Sequence, residues 1–360
     1  MNPVLKTLPV YQPGRPIEEV ARELGLDAGS IIKLASNENP LGPSRRALAA
    51  MRRALPHINL YPDGSAFYLK QKVASKLGVT PAHVILGNGS NELLELLGHA
   101  LLSPEAEVVV SQYCFAVYPI VTALFGAKLV TVPARQYGHD LEAMLSAITA
   151  RTQIVFVANP NNPTGTAVSR EALADFISRV PSHVAIALDE AYVEFLDEPL
   201  DTVAEVRQGA RPNLFLMRTF SKIYGLAGVR LGYGIGSPEF ISELEKIRQP
   251  FNVNAVAQAG ALAALEDEEH AARTRRITTR GLKVYAKAFR KMGLEFIPSS
   301  ANFVLVRVGD GQRVFNDLQK QGVIVRPMAS YQLPEWIRIS MGTPKQNQRC
   351  LEALRTAITS

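Results

Sequence analysis

Strand-like and helix-like patterns of apolar positions alternate through the middle of the chain. From His83 onward the short, almost continuous apolar runs are HVILG, EVVVS, KLVTV, QIVFVAN, HVAIALD and NLFLM. Most of these runs are followed by a segment with the apolar spacing of a helix. Continuous apolar runs are typical of strands buried on both faces, and repeated strand–helix units favour a parallel sheet. The pattern therefore predicts an α/β fold with a mostly parallel sheet sandwiched by helices.

The ends of the chain follow other patterns. Residues 1–15 are interrupted by prolines and predict an extended arm, while apolar spacing predicts a short helix over 17–24. A helical pattern covers 238–292 with a break at Pro250, and a smaller α+β pattern follows it. These shifts predict three parts: an N-terminal arm and helix over 1–30, a large domain over 31–250, and a small domain over 251–360 that packs with the N-terminal segment.

Local signals also predict where several helices begin. Ser, Thr and Asp favour the N-cap position because their side-chain oxygens accept hydrogen bonds from backbone N–H groups of the first turn. Such signals stand at Ser44, Ser90, Asp140, Ser169 and Ser237. The sequence TPKQ from Thr343 has the cap, proline and glutamine positions that predict one more helix.

Composition narrows the class of protein. Hydrophobic residues make up 47% of the 360 residues and charged residues 20%, as in soluble globular proteins. The formal charge is 39 − 33 = +6, but the basic residues of 273–280 are spaced as on a solvated helix face, so we expect no nucleic-acid partner. No apolar run approaches membrane-spanning length, and the two distant cysteines suit neither a disulfide framework nor a metal site. We therefore expect a cytoplasmic protein without metal or membrane anchor.

One lysine has an unusual context. Lys222 lies in TFSKIYGLAGVR, directly after the apolar run 213–217, and so at the expected end of a buried strand. A desolvated lysine has a lowered pKa, and its amine can form a Schiff base with an aldehyde. Thr219, Ser221 and Arg230 supply two hydroxyls and a guanidinium for a phosphate dianion. An aldehyde that also carries a phosphate suggests pyridoxal phosphate.

Other polar residues follow neighbouring strands. The turn NPNNPTG follows QIVFVA, and its Asn162 is a candidate for a cofactor oxygen. Asp189 ends HVAIALD, where a pyridinium N–H could pair with it, although a structural cap or a buried ion pair explains it equally well. Tyr192 has a hydroxyl that needs a partner, Tyr113 could stack on a planar ring, and the loop GNGSNE at 87–92 resembles a phosphate site.

Together these motifs resemble the pyridoxal-phosphate-dependent aminotransferases of fold type I, and most closely the histidinol-phosphate aminotransferase family. The motifs SNENPLGPS, YPDGS, NPNNPTG, DEAYVEF, TFSKIYGLAGVR, VRPM and IRISMGTP occur in order along the chain. The resemblance implies that Lys222 forms the Schiff base and moves the proton. It implies further cofactor contacts: Asp189 on the ring nitrogen; Tyr192 and Asn162 on the ring hydroxyl oxygen; Tyr113 on the ring face; Gly89, Ser90, Asn91, Thr219, Ser221 and Arg230 on the phosphate.

The resemblance also implies a homodimer with shared active sites, since Tyr61 would reach the phosphate in the other subunit. Arg326 and Arg338, with Tyr11 and Asn37 beside them, would bind the phosphate of histidinol phosphate and the carboxylate of the glutamate/2-oxoglutarate pair in turn. Two related activities stay open, an aminotransferase of aromatic amino acids and a threonine-phosphate decarboxylase. A regulator that binds the cofactor without catalysis is disfavoured, because both Lys222 and Asp189 are present.

Overall fold

The computed structural model describes residues 3–6, 8, 10 and 13–359. Within them the α-helices are α1 (Ile17–Leu24), α2 (Arg45–Ala54), α3 (Phe67–Leu77), α4 (Ser90–Leu101), α5 (Val117–Leu124), α6 (Leu141–Ser146), α7 (Arg170–Arg179), α8 (Thr202–Arg207), α9 (Pro238–Ile247), α10 (Ala255–Leu265), α11 (Glu268–Met292), α12 (Gly311–Lys320) and α13 (Pro344–Thr359). The strands are β1 (Ile32–Lys33), β2 (Val84–Gly87), β3 (Glu107–Ser111), β4 (Lys128–Val132), β5 (Thr152–Ala158), β6 (Ala185–Asp189), β7 (Leu214–Thr219), β8 (Gly232–Ile235), β9 (Phe296–Ile297), β10 (Phe303–Arg307), β11 (Val323–Ile324), β12 (Arg326–Pro327) and β13 (Trp336–Ser340).

A large sheet forms the centre of the described part of the chain. Its seven strands lie in the order β2-β8-β7-β6-β5-β3-β4. Only β8 runs against its neighbours, so the other strands have their carboxyl ends at one edge. The predicted α/β fold with a mostly parallel sheet is confirmed. Binding crevices in such sheets lie at the carboxyl edge of the parallel strands.

Helices cover both faces of this sheet. On one face α4, α5 and α9 pack against alternate strand residues such as Ala185 and Ala187. On the other face α3, α7, α8 and α10 pack against the residues between them, including Ile186 and Leu188. Burial of both sets explains why the strands are almost continuously apolar in the sequence.

A smaller antiparallel sheet with the order β12-β13-β10-β9 lies beside the large one. Its outer residues form a second core with α11, α12 and α13, and residues of α1 and β1 join that core. The N-terminal strand β1 pairs in parallel with β11. The helix α10, which falls within the predicted small domain over 251–360, packs on α2 and α3 of the predicted large domain. The division of the chain at residues 30 and 250 stays a prediction.

Several helices begin where the sequence predicted. The side chains of Ser44, Asp140, Ser169 and Ser237 accept hydrogen bonds from backbone N–H groups three residues later. Thr343 and Gln346 exchange the reciprocal bonds of a capping box before α13. The helical stretch after Ser237 divides into α9, α10 and α11, with a second interruption at residues 266–267 that was not predicted. No described helix is long and apolar enough to cross a membrane.

Candidate active site

A cavity of about 200 Å³ opens at the carboxyl edge of the large sheet. Three parts of the chain line it: the loops after the parallel strands, the segment 14–37, and the small sheet. It brings together most of the residues singled out in the sequence, namely Asn37, Ser90, Asn91, Asn162, Asp189, Tyr192, Thr219, Ser221, Lys222, Arg230, Arg326 and Arg338. Their convergence follows from the parallel order of β5, β6 and β7, whose ends are adjacent.

Asp189 ends β6 and is 8% exposed. Burial raises the pKa of its carboxyl group, whereas hydrogen bonds from the Tyr118 hydroxyl and the Ala191 N–H and the charge of Lys222 act in the opposite direction. Its Oδ2 accepts the Tyr118 hydroxyl at 2.7 Å and its Oδ1 accepts the Ala191 N–H at 3.0 Å. The carboxylate is thus fixed in place at the wall of the cavity.

Lys222 and Tyr192 lie close together beside this carboxylate. The Nζ atom of Lys222 is 5.6 Å from the centroid of the Tyr192 ring. Asn37 Nδ2 donates to the Tyr192 hydroxyl oxygen at 2.9 Å. Burial raises the pKa of Tyr192 to about 12, against the opposing effects of Arg338 and Asn37. The Tyr192 hydroxyl therefore keeps its proton at neutral pH and can donate it in a hydrogen bond.

The beginning of α4 borders the cavity and can offer donors to an anion. Ser90 and Asn91 start this helix, where free backbone N–H groups and the helix dipole favour a negative charge. Gly89 has φ +76°, and a Cβ atom there would overlap the Arg230 guanidinium. A Cβ on Gly232 would lie 2.5 Å from the Ser90 nitrogen. Glycine at both positions lets α4, Arg230 and β8 approach one another closely.

Two buried arginines face each other in the small sheet. Arg326 on β12 and Arg338 on β13 are directly opposite in the antiparallel register, and they are 8% and 7% exposed. Arg338 Nη1 donates to Asn162 Oδ1 at 2.7 Å, and its Nη2 donates to the Ala35 carbonyl at 3.1 Å. Arg338 therefore connects the small sheet to the NPNNPTG loop and to the segment before α2.

The aromatic wall differs from the sequence prediction. Phe115 lines the cavity, whereas Tyr113, which was expected to stack on the ring, is not part of the wall. Tyr113 instead stacks against Tyr137 at 5.9 Å between ring centroids. Phe115 lies two residues after Tyr113, and both belong to the connection between β3 and α5. The stacking role expected of Tyr113 stays a prediction, and Phe115 is a second candidate for it.

Tyr61, another predicted residue, is not among the described residues that line the cavity. Tyr61 is 82% exposed and stacks on Phe251 at 4.7 Å, so within one chain it does not reach the cavity. Tyr11 lies outside the described residues. Tyr118, which contacts Asp189 directly, was missed by the sequence reasoning. The only available signal for it was a tyrosine in the otherwise apolar helix α5.

The cavity suits a phosphorylated pyridine aldehyde. Its buried carboxylate, Asp189, lies at the wall and can accept a hydrogen bond from a ring N–H. The hydroxyls of Thr219 and Ser221, the beginning of α4 and Arg230 offer donors to a phosphate dianion. Lys222 supplies the amine. The residues present therefore fit pyridoxal phosphate.

Comparison with known proteins agrees with this site. Residues 29–354 match the model of the aminotransferase class I and II family. The histidinol-phosphate aminotransferase of Sinorhizobium meliloti, solved in complex with pyridoxal 5′-phosphate, superposes with a TM-score of 0.90 at 29% identity and covers 100% of this chain and 97% of that one. The aspartate aminotransferase of Thermus thermophilus shares the fold, with a TM-score of 0.84 at 23% identity over 99% of both chains. Fold and site thus define a pyridoxal-phosphate-dependent aminotransferase of fold type I.

More similar relatives narrow the class. The histidinol-phosphate aminotransferase of Akkermansia muciniphila is 53% identical over 352 residues, which cover 98% of this chain and 96% of the relative. Histidinol-phosphate aminotransferase 2 of Ralstonia nicotianae is 51% identical over 360 residues, 98% of this chain and 96% of the relative. The chain belongs to the histidinol-phosphate aminotransferase family.

Proposed function

We propose that the enzyme transfers the amino group of histidinol phosphate to 2-oxoglutarate, reversibly, to form imidazole acetol phosphate and glutamate. The observation that carries this proposal is the pair Arg326 and Arg338, buried and directly opposite in the same cavity as Lys222 and Asp189. Guanidinium groups bind phosphate and carboxylate in a bidentate manner. Two of them in the wall of one cavity therefore suit an anionic substrate.

The same two arginines suit both half-reactions. Histidinol phosphate carries a phosphate and no carboxylate at its reacting carbon, whereas glutamate carries two carboxylates. A guanidinium binds either anion in a bidentate manner. Asn37, which lies in the same cavity, and Tyr11 complete the proposed substrate pocket.

Pyridoxal phosphate supplies the electron sink that stabilises negative charge at the amino carbon. In this proposal Asp189 holds the ring nitrogen protonated, and Tyr192 and Asn162 bind the ring hydroxyl oxygen. Phe115, which borders the cavity where Tyr113 was expected, covers the ring face. The backbone N–H groups of 89–91, with the side chains of Ser90, Thr219, Ser221 and Arg230, bind the phosphate.

Lys222 has two tasks in this mechanism. Its amine would hold the cofactor at the aldehyde carbon, and its Nζ, when free, would act as the base that moves the proton at the amino carbon of the substrate. The nearby charge of Asp189 and the ring of Tyr192, 5.6 Å from Nζ, keep the ammonium end inside the cavity. The arginine pair holds the substrate anion, so that the amino carbon stays within reach of Nζ.

We also propose a homodimer with shared active sites. Exposed apolar side chains are concentrated in the connection between α2 and α3 and at the beginning of α3. They are Leu55, Ile58, Leu60, Tyr61, Phe67 and Tyr68. An exposed apolar surface of this kind is typical of a subunit interface. Tyr61 would then contact the cofactor phosphate of the other subunit. A cytoplasmic location is consistent with Cys114 and Cys350, which are buried and not joined by a disulfide.

Substrate choice is tested by measuring kcat/KM for histidinol phosphate, phenylalanine and tyrosine with 2-oxoglutarate present, and by assaying CO₂ release from threonine phosphate. We expect the highest kcat/KM with histidinol phosphate and no CO₂ release. A far higher value with phenylalanine would instead identify an aromatic amino acid aminotransferase, and CO₂ release a decarboxylase.

The shared site is tested by mixing two inactive variants, Tyr61→Ala and Lys222→Ala. In a mixed dimer, one site has Lys222 from one subunit and Tyr61 from the other, so activity should reappear after subunit exchange. As a control, Tyr61→Ala mixed with itself should stay inactive. Absence of recovery in a mixture shown to contain mixed dimers would contradict the shared site.

A further inference from the structure

Tyr118 is the residue that contacts Asp189 from behind the cavity. It lies in α5 and is 1% exposed within the core between α4, α5, α9 and the large sheet. Asp189 follows Ala185 and Ala187 at alternating positions of β6, and therefore points to the same face of the sheet as those two residues. The Tyr118 hydroxyl donates to Asp189 Oδ2 at 2.7 Å.

The contact fixes the direction of the carboxylate. Tyr118 occupies Oδ2 and the Ala191 N–H occupies Oδ1, so each oxygen has one donor from the protein. A carboxylate has about four acceptor positions. Asp189 lines the cavity, so its carboxylate can accept a further hydrogen bond from a ligand there.

Tyr118 is itself held rigidly. Its ring stacks on Phe156 with centroids 4.5 Å apart and 6° between the planes. Phe115 meets the ring edge-on at 5.7 Å and 86°. Phe115 also lines the cavity. The chain around the beginning of α5 therefore provides both an aromatic side chain of the cavity wall and the tyrosine that contacts the Asp189 carboxylate.

We propose that Tyr118 is a positioning residue for the cofactor ring nitrogen, because its hydroxyl donates to the Asp189 carboxylate and holds it at the wall of the cavity. This inference rests on the assignment of Asp189 to the ring nitrogen under Proposed function. Tyr118 acts only through Asp189 and contacts neither cofactor nor substrate. A change at Tyr118 should therefore be felt only by ligands that have a nitrogen at this position of the ring.

The charged and titratable groups around Asp189 give the direction of the expected pH effect. Burial raises the pKa of Asp189, and Glu190 raises it further, whereas the Tyr118 hydroxyl, the Ala191 N–H and Lys222 lower it. Removing the Tyr118 hydroxyl therefore raises the pKa of Asp189. The carboxylate then becomes protonated at a higher pH, and the acid limb of the kcat/KM profile moves upward.

The test compares two ligands in the full-length protein, freed of cofactor and reconstituted. One ligand is pyridoxal phosphate, and the other is its 1-deaza analogue, in which carbon replaces the ring nitrogen. Dissociation constants are measured by equilibrium dialysis for the wild type, for Tyr118→Phe and for Tyr285→Phe. Tyr285 is a matched control because it is fully buried in the other core, away from the cavity.

Tyr118→Phe should weaken binding of pyridoxal phosphate roughly tenfold, as expected for one lost hydrogen bond to a charged group, and leave binding of the deaza analogue unchanged. Tyr285→Phe should leave both dissociation constants as in the wild type. Equal weakening of both ligands in Tyr118→Phe would show a packing effect and overturn the inference. Equal binding of both ligands by the wild type would instead refute the role of Asp189 itself, and the two failures are thus distinguishable.

A second variant covers the case in which Tyr118→Phe does not fold. Fluorotyrosine incorporated at position 118 keeps the ring and provides a more acidic hydroxyl donor. It should strengthen the hydrogen bond to Asp189, increase the preference for pyridoxal phosphate over the deaza analogue, and move the acid limb of kcat/KM to lower pH. An unchanged preference and an unchanged profile would overturn the inference.

Discussion

Glu194 gives a sharp prediction about stability because its carboxylate is buried without full compensation. It follows Tyr192 in a short 3-10 turn, and within the described residues its Oε2 is shielded from solvent and has no hydrogen-bond partner. The cation that most lowers the pKa of Glu194, Arg218, already pairs with Glu190, with 2.8 Å between Arg218 Nε and Glu190 Oε2. One buried guanidinium is therefore shared between two carboxylates.

The magnitude follows from the pKa of Glu194. Burial raises this pKa from 4.5 to about 7, and Arg218 offsets only part of the effect. Between these two values the folded protein binds more protons than the unfolded chain, so the stability due to proton binding is complete below pH 4.5 and is lost as the pH rises through 7. At about 1.4 kcal/mol per pKa unit, the ceiling of this loss is about 3 kcal/mol.

The perturbation is Glu194→Gln, which keeps the shape of the side chain and removes its charge. The free energy of unfolding is measured by urea denaturation at pH 5 and pH 8 with the same excess of pyridoxal phosphate. From pH 5 to pH 8, the free energy of unfolding of the variant should rise by about 1–3 kcal/mol relative to that of the wild type. Other titrating groups contribute equally to both proteins, so the difference between them isolates Glu194.

Glu198→Gln is the matched control, since Glu198 is an exposed glutamate on the same segment. It should leave the pH dependence of unfolding as in the wild type. The contrary outcome is that Glu194→Gln has the same pH dependence of unfolding as the wild type, or loses stability relative to the wild type as the pH rises. Either result would show that Glu194 is ionised and well compensated at neutral pH, and would refute the reasoning.

Three further predictions concern the cavity. Lys222→Ala should abolish the absorption of the lysine-bound cofactor and nearly all turnover without unfolding the protein; retained turnover would contradict its role. Arg338→Met should lower kcat/KM roughly 10- to 100-fold for histidinol phosphate and for glutamate alike, as expected for lost hydrogen bonds to a charged group, and an effect on only one of them would refute a common anion site. Gly232→Ala should weaken cofactor binding measured by dialysis, because its Cβ would lie 2.5 Å from the Ser90 nitrogen; Gly228→Ala, with open space around it, should bind the cofactor normally.

Much of the architecture was predictable because its signals are local. Continuous apolar runs identified the strands of the large sheet, and hydroxyl or carboxylate caps such as Ser44 and Ser237 marked the beginnings of helices. The position of Lys222 after a buried strand predicted a place at the edge of the sheet, and Lys222 lines the cavity there. Such features depend on neighbours within a few residues, so they can be predicted from short stretches of the sequence.

Other features depend on how distant segments pack. Phe115 lines the cavity and Tyr113, two residues earlier, does not, although both are aromatic residues of the same connection between β3 and α5. The bond from Tyr118 to Asp189 requires α5 to lie on one particular face of β6.

The sequence alone was enough to predict a mostly parallel α/β sheet, the beginnings of several helices and a lysine near a strand end, since backbone propensity, capping and apolar spacing act over a few residues. Only the folded chain sets Arg326 opposite Arg338 and joins Arg338 to Asn162, because these contacts arise from strand register and from the packing of the two sheets. Contacts between side chains that are far apart in the sequence, such as Arg338 and Asn162, depend on that packing, and local sequence patterns do not predict them.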